Sequence, residues 1–435
     1  MHDARALLDR QAAVQLARRG YELDTGVLAG LVEQRSGLIS AVDAVRAELK
    51  RSARAVAGNG SPTSGFTGRT AKEKLRELEE RSRECEAELR ALLLSVPNLP
   101  DDDAPGGRPS DPMVEIRRWG RAPDFSFEPA DHLDIGTALG ILDPVRATKL
   151  SGPRFCVTRG AGARLERALA DFLLDLHTAR HGYIEHGVPH LVNAETMTGT
   201  GQLPKFAADL FSTKVAGREL LLIPTAEVPL VNLYRNEVID EAALPLALTA
   251  RTPCYRAEAG SYGRDTRGLI RLHQFEKIEL VRFCHPDHAA RELDLITSHA
   301  EAALRLLGLH YRVVDLRTGD LGFSARRTYD LEVWLPSQQA FREISSCSDC
   351  GTFQARRASI RMRGRGGQKA FLVTLNASGL PIGRTIAALL EQNQQADGSV
   401  LLPTALVPYT GFAEISRDGG RSGAAQSAAS RALES

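Results

Sequence analysis

TPCYRAEAGSYGRDTRGLIRLHQFEKIE, residues 252–279, combines nine charged residues with three glycines. Arg256 and Glu258 sit on one apparent strand. The loop AGSYGRDTRG (259–268) follows, with three glycines and two arginines. A second strand then brings Arg271, His273, Phe275, Glu276 and Glu279. Arginines at fixed points of a strand–loop–strand suit phosphate, because a guanidinium fork pairs bidentately with phosphate oxygens. Phe275 is placed to stack on a purine. A solvated hairpin with surface ion pairs has the same pattern, so the segment read alone leaves the two readings about even.

The surroundings set the fold class. Strand-like runs recur at 219–224, 278–283, 311–315, 329–335 and 371–375, and helical patterns at 162–181, 286–307 and 383–395. They do not alternate as βαβ units. The spacing predicts an α+β fold, with a mainly antiparallel sheet flanked by helices over 113–413. Neither a Walker A sequence nor G-x-G-x-x-G occurs, so any nucleotide is bound without a P-loop or a dinucleotide turn.

Upstream lie two apolar seams of 3-4 spacing. The first runs through Leu28, Leu31, Arg35, Leu38, Val42, Val45, Leu49, Ser52 and Val56. The second runs through Ala71, Leu75, Leu78, Ser82, Cys85, Leu89, Leu92 and Val96. GNGSPTSGFTG (58–68) breaks the helix between them. An antiparallel helical hairpin over about 27–96 follows, within an N-terminal domain of 1–100. Its tip half carries Lys50, Arg51, Arg54, Arg69, Lys72, Lys74 and Arg76 against Glu48, Glu73 and Glu77. The seam suits dimerisation, and the basic tip suits a polyanion. Residues 97–112 read as a Pro-, Gly- and Asp-rich linker, and 416–435 as a disordered tail.

The chain has 435 residues and a formal net charge of +1, so any basic surface is local. Six scattered cysteines fit a reducing compartment. The N-terminus has no signal-peptide core, and no apolar run is long enough to span a membrane. A cytoplasmic protein is expected.

Segment 252–279 resembles motif 2 of the class II aminoacyl-tRNA synthetases, in the form found in bacterial-type seryl-tRNA synthetases. Other stretches are similar to that family in order: 182–206 to motif 1 with Pro189, 221–239 to the serine-binding segment, 324–363 to the metal and ATP strands, and 374–409 to motif 3. The hairpin ending in LLLSVPNLP (92–100) resembles the tRNA-binding arm. The resemblance implies an enzyme that joins L-serine to tRNA(Ser), and to tRNA(Sec) where present, by way of ATP and seryl-adenylate. It implies L-serine binding by Thr225, Ala226, Glu227, Glu279 and Ser378. ATP falls to Arg256, Ala257, Glu258, Phe275, Glu343, Ile344, Ser345, Ser346 and Arg384. Arg256 and Arg384 are the catalytic arginines, and Glu343 and Ser346 the ligands of Mg²⁺. A homodimer and no zinc are implied as well.

The family's motif 3 begins NGSGLA, and here it reads NASGLP (376–381). Ala377 adds a methyl beside Ser378 at a turn where glycine tolerates positive φ. Pro381 sets φ ahead of the helix. The pair either leaves the amino-acid pocket unchanged or reshapes it, as in a specialised second copy tied to antibiotic resistance or a biosynthetic pathway. A carrier-protein loader of the same family lacks the long arm, and a binding protein that kept only the fold has no use for Arg256, Glu279 and Arg384. Cys347 and Cys350 have no second pair to complete a zinc set, which favours a structural role.

Overall fold

The two apolar seams form two long helices, Thr25–Asn59 (α1) and Gly65–Ser95 (α2). Each runs about 50 Å at the α-helical rise. Leu28, Leu38, Val42 and Val45 of α1 are buried, as are Leu78, Cys85 and Leu89 of α2. The polar seam position Arg35 reaches Glu86 across the pair at 3.3 Å. The basic residues of the tip half are all exposed. The helices extend into the expected breaker, since a helical hairpin needs only a few connecting residues.

This computed structural model describes residues 1–59, 65–107, 111–260, 267–417 and 419–421. Contacts divide it into two units, Met1–Leu99 and Pro100–Ser435. The stretch expected as a linker is tied down from Asp101 onward. The Asp101 N–H donates to the Arg326 carbonyl at 2.8 Å, and Thr318 N–H to the Pro105 carbonyl at 2.9 Å. The Asp101 carboxylate pairs with the Arg326 guanidinium, and Arg317 donates to the carbonyls of Asp111 and Pro112.

The second unit is built on eight strands: Val114–Trp119 (β1), Ile184–Glu185 (β2), Leu246–Tyr255 (β3), Gln274–Cys284 (β4), Tyr311–Asp315 (β5), Arg327–Leu335 (β6), Ala340–Asp349 (β7) and Val373–Pro381 (β8). They form one sheet in the order β1-β5-β6-β7-β8-β4-β3-β2, antiparallel except where β2 joins β3. The helices of this unit that matter here are His132–Ala138 (α3), Ala161–Asp175 (α4), Glu227–Asn232 (α5), Ala289–Leu306 (α6), Phe353–Ala358 (α7) and Ile382–Gln392 (α8).

Alternation along the strands sorts side chains between two faces. Ile278 and Leu280 of β4 join the main core with Leu169, Leu173, Ile296, Ile386 and Leu390 from α4, α6 and α8. Val281 and Phe283 join a second core with Leu230 of α5 and Ala355 of α7. The same face of β4 also carries Phe275, Lys277 and Glu279. No described helix is long and apolar enough to cross a membrane.

The expected helix over 162–181 ends earlier. It gives way to a π-turn at Leu176–Arg180, where the extra residue turns His177 into the core. The expected strand at 371–375 is two, Lys369–Phe371 and Val373–Pro381. The tail expected to be disordered from 416 has order at its start: Glu414–Ser416 pairs antiparallel with Gly419–Arg421. Residues 418 and 422–435 lie outside the described set, as do 261–266 of the 259–268 loop.

Leu38 is 5% exposed between the two long helices. Leu38→Ala removes three carbons from a seam with no other layer behind it. It should destabilise the N-terminal unit by about 2–3 kcal/mol, read as an earlier helical transition in urea-dependent circular dichroism.

Candidate active site

The ladder of β3 and β4 is unbroken from Leu246↔Phe283 to Tyr255↔Gln274. Arg256 lies one residue past the end of β3, where its N–H donates to the His273 carbonyl at 2.9 Å. Its side chain donates to the Pro224 carbonyl at 3.3 Å and lies 5.2 Å from the Phe275 ring centre. Glu258 takes a positive φ of 54° and accepts from Arg271 at 2.5 Å. A non-glycine residue in that region is held there by its surroundings.

On the other side of β4, Ser378 of β8 pairs directly with Glu279. Residues opposite one another share a face, so both point the same way. Glu279 is 1% exposed. The Thr225 hydroxyl donates to its carboxylate at 2.5 Å, and the buried Lys277 ammonium pairs with the same oxygen and also lies 3.0 Å from Thr225 Oγ1. Thr225 Oγ1 in turn accepts the Glu227 N–H at 3.1 Å. Glu227 accepts from Gln354 at 2.6 Å and from Asn376 at 2.9 Å. Burial pushes its carboxyl up to about 7, with the neighbouring Glu279 charge adding to the effect.

Glu343 and Ser346 are three apart on β7 and would face opposite sides of a regular strand. A β-bulge intervenes: Leu331 pairs with Ser345, but Glu332 pairs with Glu343, leaving Ile344 as the extra residue. Both side chains therefore line one cavity. Arg384, in the first turn of α8, donates to the Glu343 carbonyl at 2.8 Å and its carboxylate at 3.1 Å. Glu343 and Ser346 offer hard oxygen donors beside an open volume, which fits a divalent cation that keeps some of its waters. Behind them Asp330 is buried and pushed up by its burial and by Glu343, and its Oδ1 has no hydrogen-bond partner among the described residues.

The cavity has a volume of about 580 Å³. Of the site residues read from the sequence, Thr225, Glu227, Glu279, Ser378, Arg256, Glu258, Glu343, Ser346 and Arg384 line it. Phe275 and Ile344 line an adjoining recess with Leu269, Ile270, Pro381 and Gly383. Ala226 is in the second core. Ala257 lies outside the lining and donates its N–H to the Asp209 carbonyl at 2.9 Å. Ser345 faces inward and donates to the Ser378 carbonyl at 2.7 Å. Sequence reading missed Lys277, Asn376, Gln354 and Asp209. Lys277 alone had a signal, since it shares strand parity with Phe275 and Glu279.

The two residues by which NASGLP departs from the resembled pattern, Ala377 and Pro381, separate. Ala377 pairs with Leu280 and Cys347 and its methyl is in the main core, not the cavity. The positive φ, +91°, belongs to Leu380, at a bulge between Ser378 and Pro381. Gly379 is closely packed, since a Cβ there would stand 3.0 Å from His177 Nε2 and 3.1 Å from Ile278 Cγ2. Pro381 caps α8 with φ −79°, an ordinary proline value. Cys347 is fully buried and its thiol is pushed up to about 12 by that burial, while Cys350 accepts from Asn376 at 3.4 Å. Both behave as packing residues.

Residues 211–393 match the model of the tRNA synthetase class II core domain (G, H, P, S and T). A Serine--tRNA ligase 2 from Streptomyces avermitilis is 59% identical over 420 residues, 95% of this chain and 98% of that protein. A Serine--tRNA ligase from Syntrophotalea carbinolica is 51% identical, over 93% of this chain and 96% of its own length. The crystal structure of seryl-tRNA synthetase from Pyrococcus horikoshii complexed with ATP superposes with a TM-score of 0.87 at 31% identity, covering 95% of this chain and 99% of that one.

The Glu227 carboxyl should titrate with a midpoint near 7. Carboxyl-region infrared difference spectra between pH 5 and 9 would show it as a band lost on Glu227→Gln. A midpoint near 4 would show that water reaches the group.

Proposed function

The chain belongs to the serine–tRNA ligase family of class II aminoacyl-tRNA synthetases, and from that premise we propose how its cavity divides the work between serine and ATP. The observation that carries the reading is one cavity lined both by the Thr225, Glu227, Glu279 and Ser378 set and by the Arg256, Glu258 and Arg384 set. Carboxylates suit an α-ammonium. Buried polar groups around a hydroxyl discriminate serine from alanine, because alanine leaves them unpaired. Serine therefore sits against Glu279, Glu227, Thr225 and Ser378, and ATP against Arg256, Glu258, Phe275 and Arg384.

In the first step the serine carboxylate attacks the α-phosphorus, seryl-adenylate forms and pyrophosphate leaves. Arg256, next to Phe275, stabilises the charge that develops on the α-phosphoryl oxygens, and Arg384 that on the departing phosphates. Glu343 and Ser346 would hold Mg²⁺, which neutralises phosphate charge when bound. In the second step the terminal ribose hydroxyl of tRNA(Ser) attacks the seryl carbonyl and AMP leaves. No protein nucleophile takes part, so catalysis is positioning and charge stabilisation. The exposed basic residues of α1 and α2 support tRNA binding by the arm, in a homodimer acting in the cytoplasm on tRNA(Ser) and, where present, tRNA(Sec).

The 59% identity to a protein named Serine--tRNA ligase 2 favours a second copy of the enzyme. The core position of Ala377 argues that such a copy keeps an ordinary serine pocket. Ala377→Gly should cost about 1 kcal/mol of stability and leave the serine KM unchanged in pyrophosphate exchange. A serine KM that moves severalfold would place the specialisation at this residue.

The full chain should catalyse serine-dependent pyrophosphate exchange and charge tRNA(Ser). Deleting 30–93 should spare exchange and abolish charging. Exchange without charging by the full chain would revive the carrier reading, and no exchange with serine would refute the proposal. The serine KM should fall as pH rises from 6 to 8, because Glu227 gains the charge that receives the ammonium as it passes its raised midpoint near 7.

A further inference from the structure

His132 begins α3 and is 4% exposed, and Glu391, near the end of α8, is 0% exposed. His132 Nδ1 lies 2.7 Å from Glu391 Oε1, and the backbone N–H of Leu269 donates to His132 Nε2 at 3.0 Å. A backbone N–H can only donate, so Nε2 must present its lone pair and the ring proton sits on Nδ1, facing Glu391. The carboxylate is fully engaged: the His132 N–H reaches the same oxygen at 3.3 Å, and Ser337 donates to the other from its N–H at 3.1 Å and its hydroxyl at 2.7 Å. A buried anion with this set of donors is held in one orientation.

What the imidazole grips is the return arm of the 252–279 loop. Two turns back along α8, Arg384 Nε donates to the Ile270 carbonyl at 3.1 Å. One helix therefore holds Leu269 by its N–H, through Glu391 and His132, and Ile270 by its C=O, directly. Leu269, Ile270 and Arg271 line the recess beside Phe275 and Arg256. Gly268 is fitted to the same contact, since a Cβ there would lie 2.1 Å from His132 Nε2.

We propose that His132 is a positioning residue for ATP, acting through Leu269 to hold the return arm of the 252–279 loop in its ATP-binding place. It touches none of Thr225, Glu227, Glu279 or Ser378, so its effect should fall on ATP and not on serine. The inference rests on the reading of the cavity as a serine and ATP site.

The test is serine-dependent pyrophosphate exchange by the full chain, with hydrogen exchange read at the Leu269 amide. Asparagine at 132 can still donate to Glu391 but offers nothing to Leu269, whereas glutamine reaches Leu269 with an acceptor. His132→Asn should raise the ATP KM about tenfold, the effect of one lost hydrogen bond, keep the serine KM within about twofold, and speed exchange at Leu269. His132→Gln should recover most of the ATP KM. The proposal is overturned by an unchanged ATP KM, by equal shifts in both KM values, by an unchanged Leu269 amide, or by glutamine doing no better than asparagine. Should His132→Asn not fold, Gly268→Ala pushes the same ring from the other side and must raise the ATP KM selectively, and if it does not the proposal fails. An inactive wild-type chain would refute the functional reading itself, which separates the two failures.

Discussion

Burying the Glu279 carboxylate under the sheet is tolerable because Lys277 and Thr225 meet it there. A lone carboxylate in that position would pick up a proton and lose its use. Lys277 lies two residues away on the same strand, so period-two alternation alone places its ammonium beside the carboxylate. Thr225 comes from the turn before α5, which ties that segment to β4. The same small network then reaches Glu227 through the Thr225 hydroxyl. Burial, with the neighbouring Glu279 charge adding to it, pushes the Glu227 carboxyl up to about 7.

Around that network the sheet departs from regularity in two places. The bulge at Ile344 turns Glu343 and Ser346 to the same side. The bulge after Ser378 lets β8 run straight into α8, with Leu380 at positive φ and Gly379 against His177. Both distortions lie beside the cavity, at its adjoining recess, and each is braced from behind by core packing. The strain is thus stored where side chains must be aimed, and the apolar layer of α4, α6 and α8 holds it in place.

Much of this was legible in the residues. The hairpin follows from the spacing of Leu28, Leu38, Val42 and Val45. The antiparallel sheet follows from the clustering of strand patterns without helical crossovers. Thr225, Glu227, Glu279, Ser378, Arg256, Glu258, Glu343, Ser346 and Arg384, which line the cavity, were named from motif resemblance. Gln354, Asn376 and Asp209 were not, because their partners lie far off in sequence, 127 and 149 residues for the first two on Glu227 and 50 for Asp209 on the Ala259 N–H, while Lys277, two residues from Glu279, carried only its strand parity. For Ala377 the sequence left open whether it reshapes the pocket, because its neighbour Ser378 is read as a serine-binding residue. Strand parity puts adjacent residues on opposite faces, and that parity is visible only once the ladder is known.

By itself the sequence determined which elements form, because helix and strand periods and turn chemistry are local properties of the chain. It also carried the identity of the family, since long ordered motifs survive without their context. The tertiary structure alone decided which face each strand presents, which carboxyls burial pushes up, and which distant segments meet, as His132 meets the Leu269 N–H. Those depend on register, burial and contacts between distant segments, and none of these is a property of a residue and its neighbours in sequence.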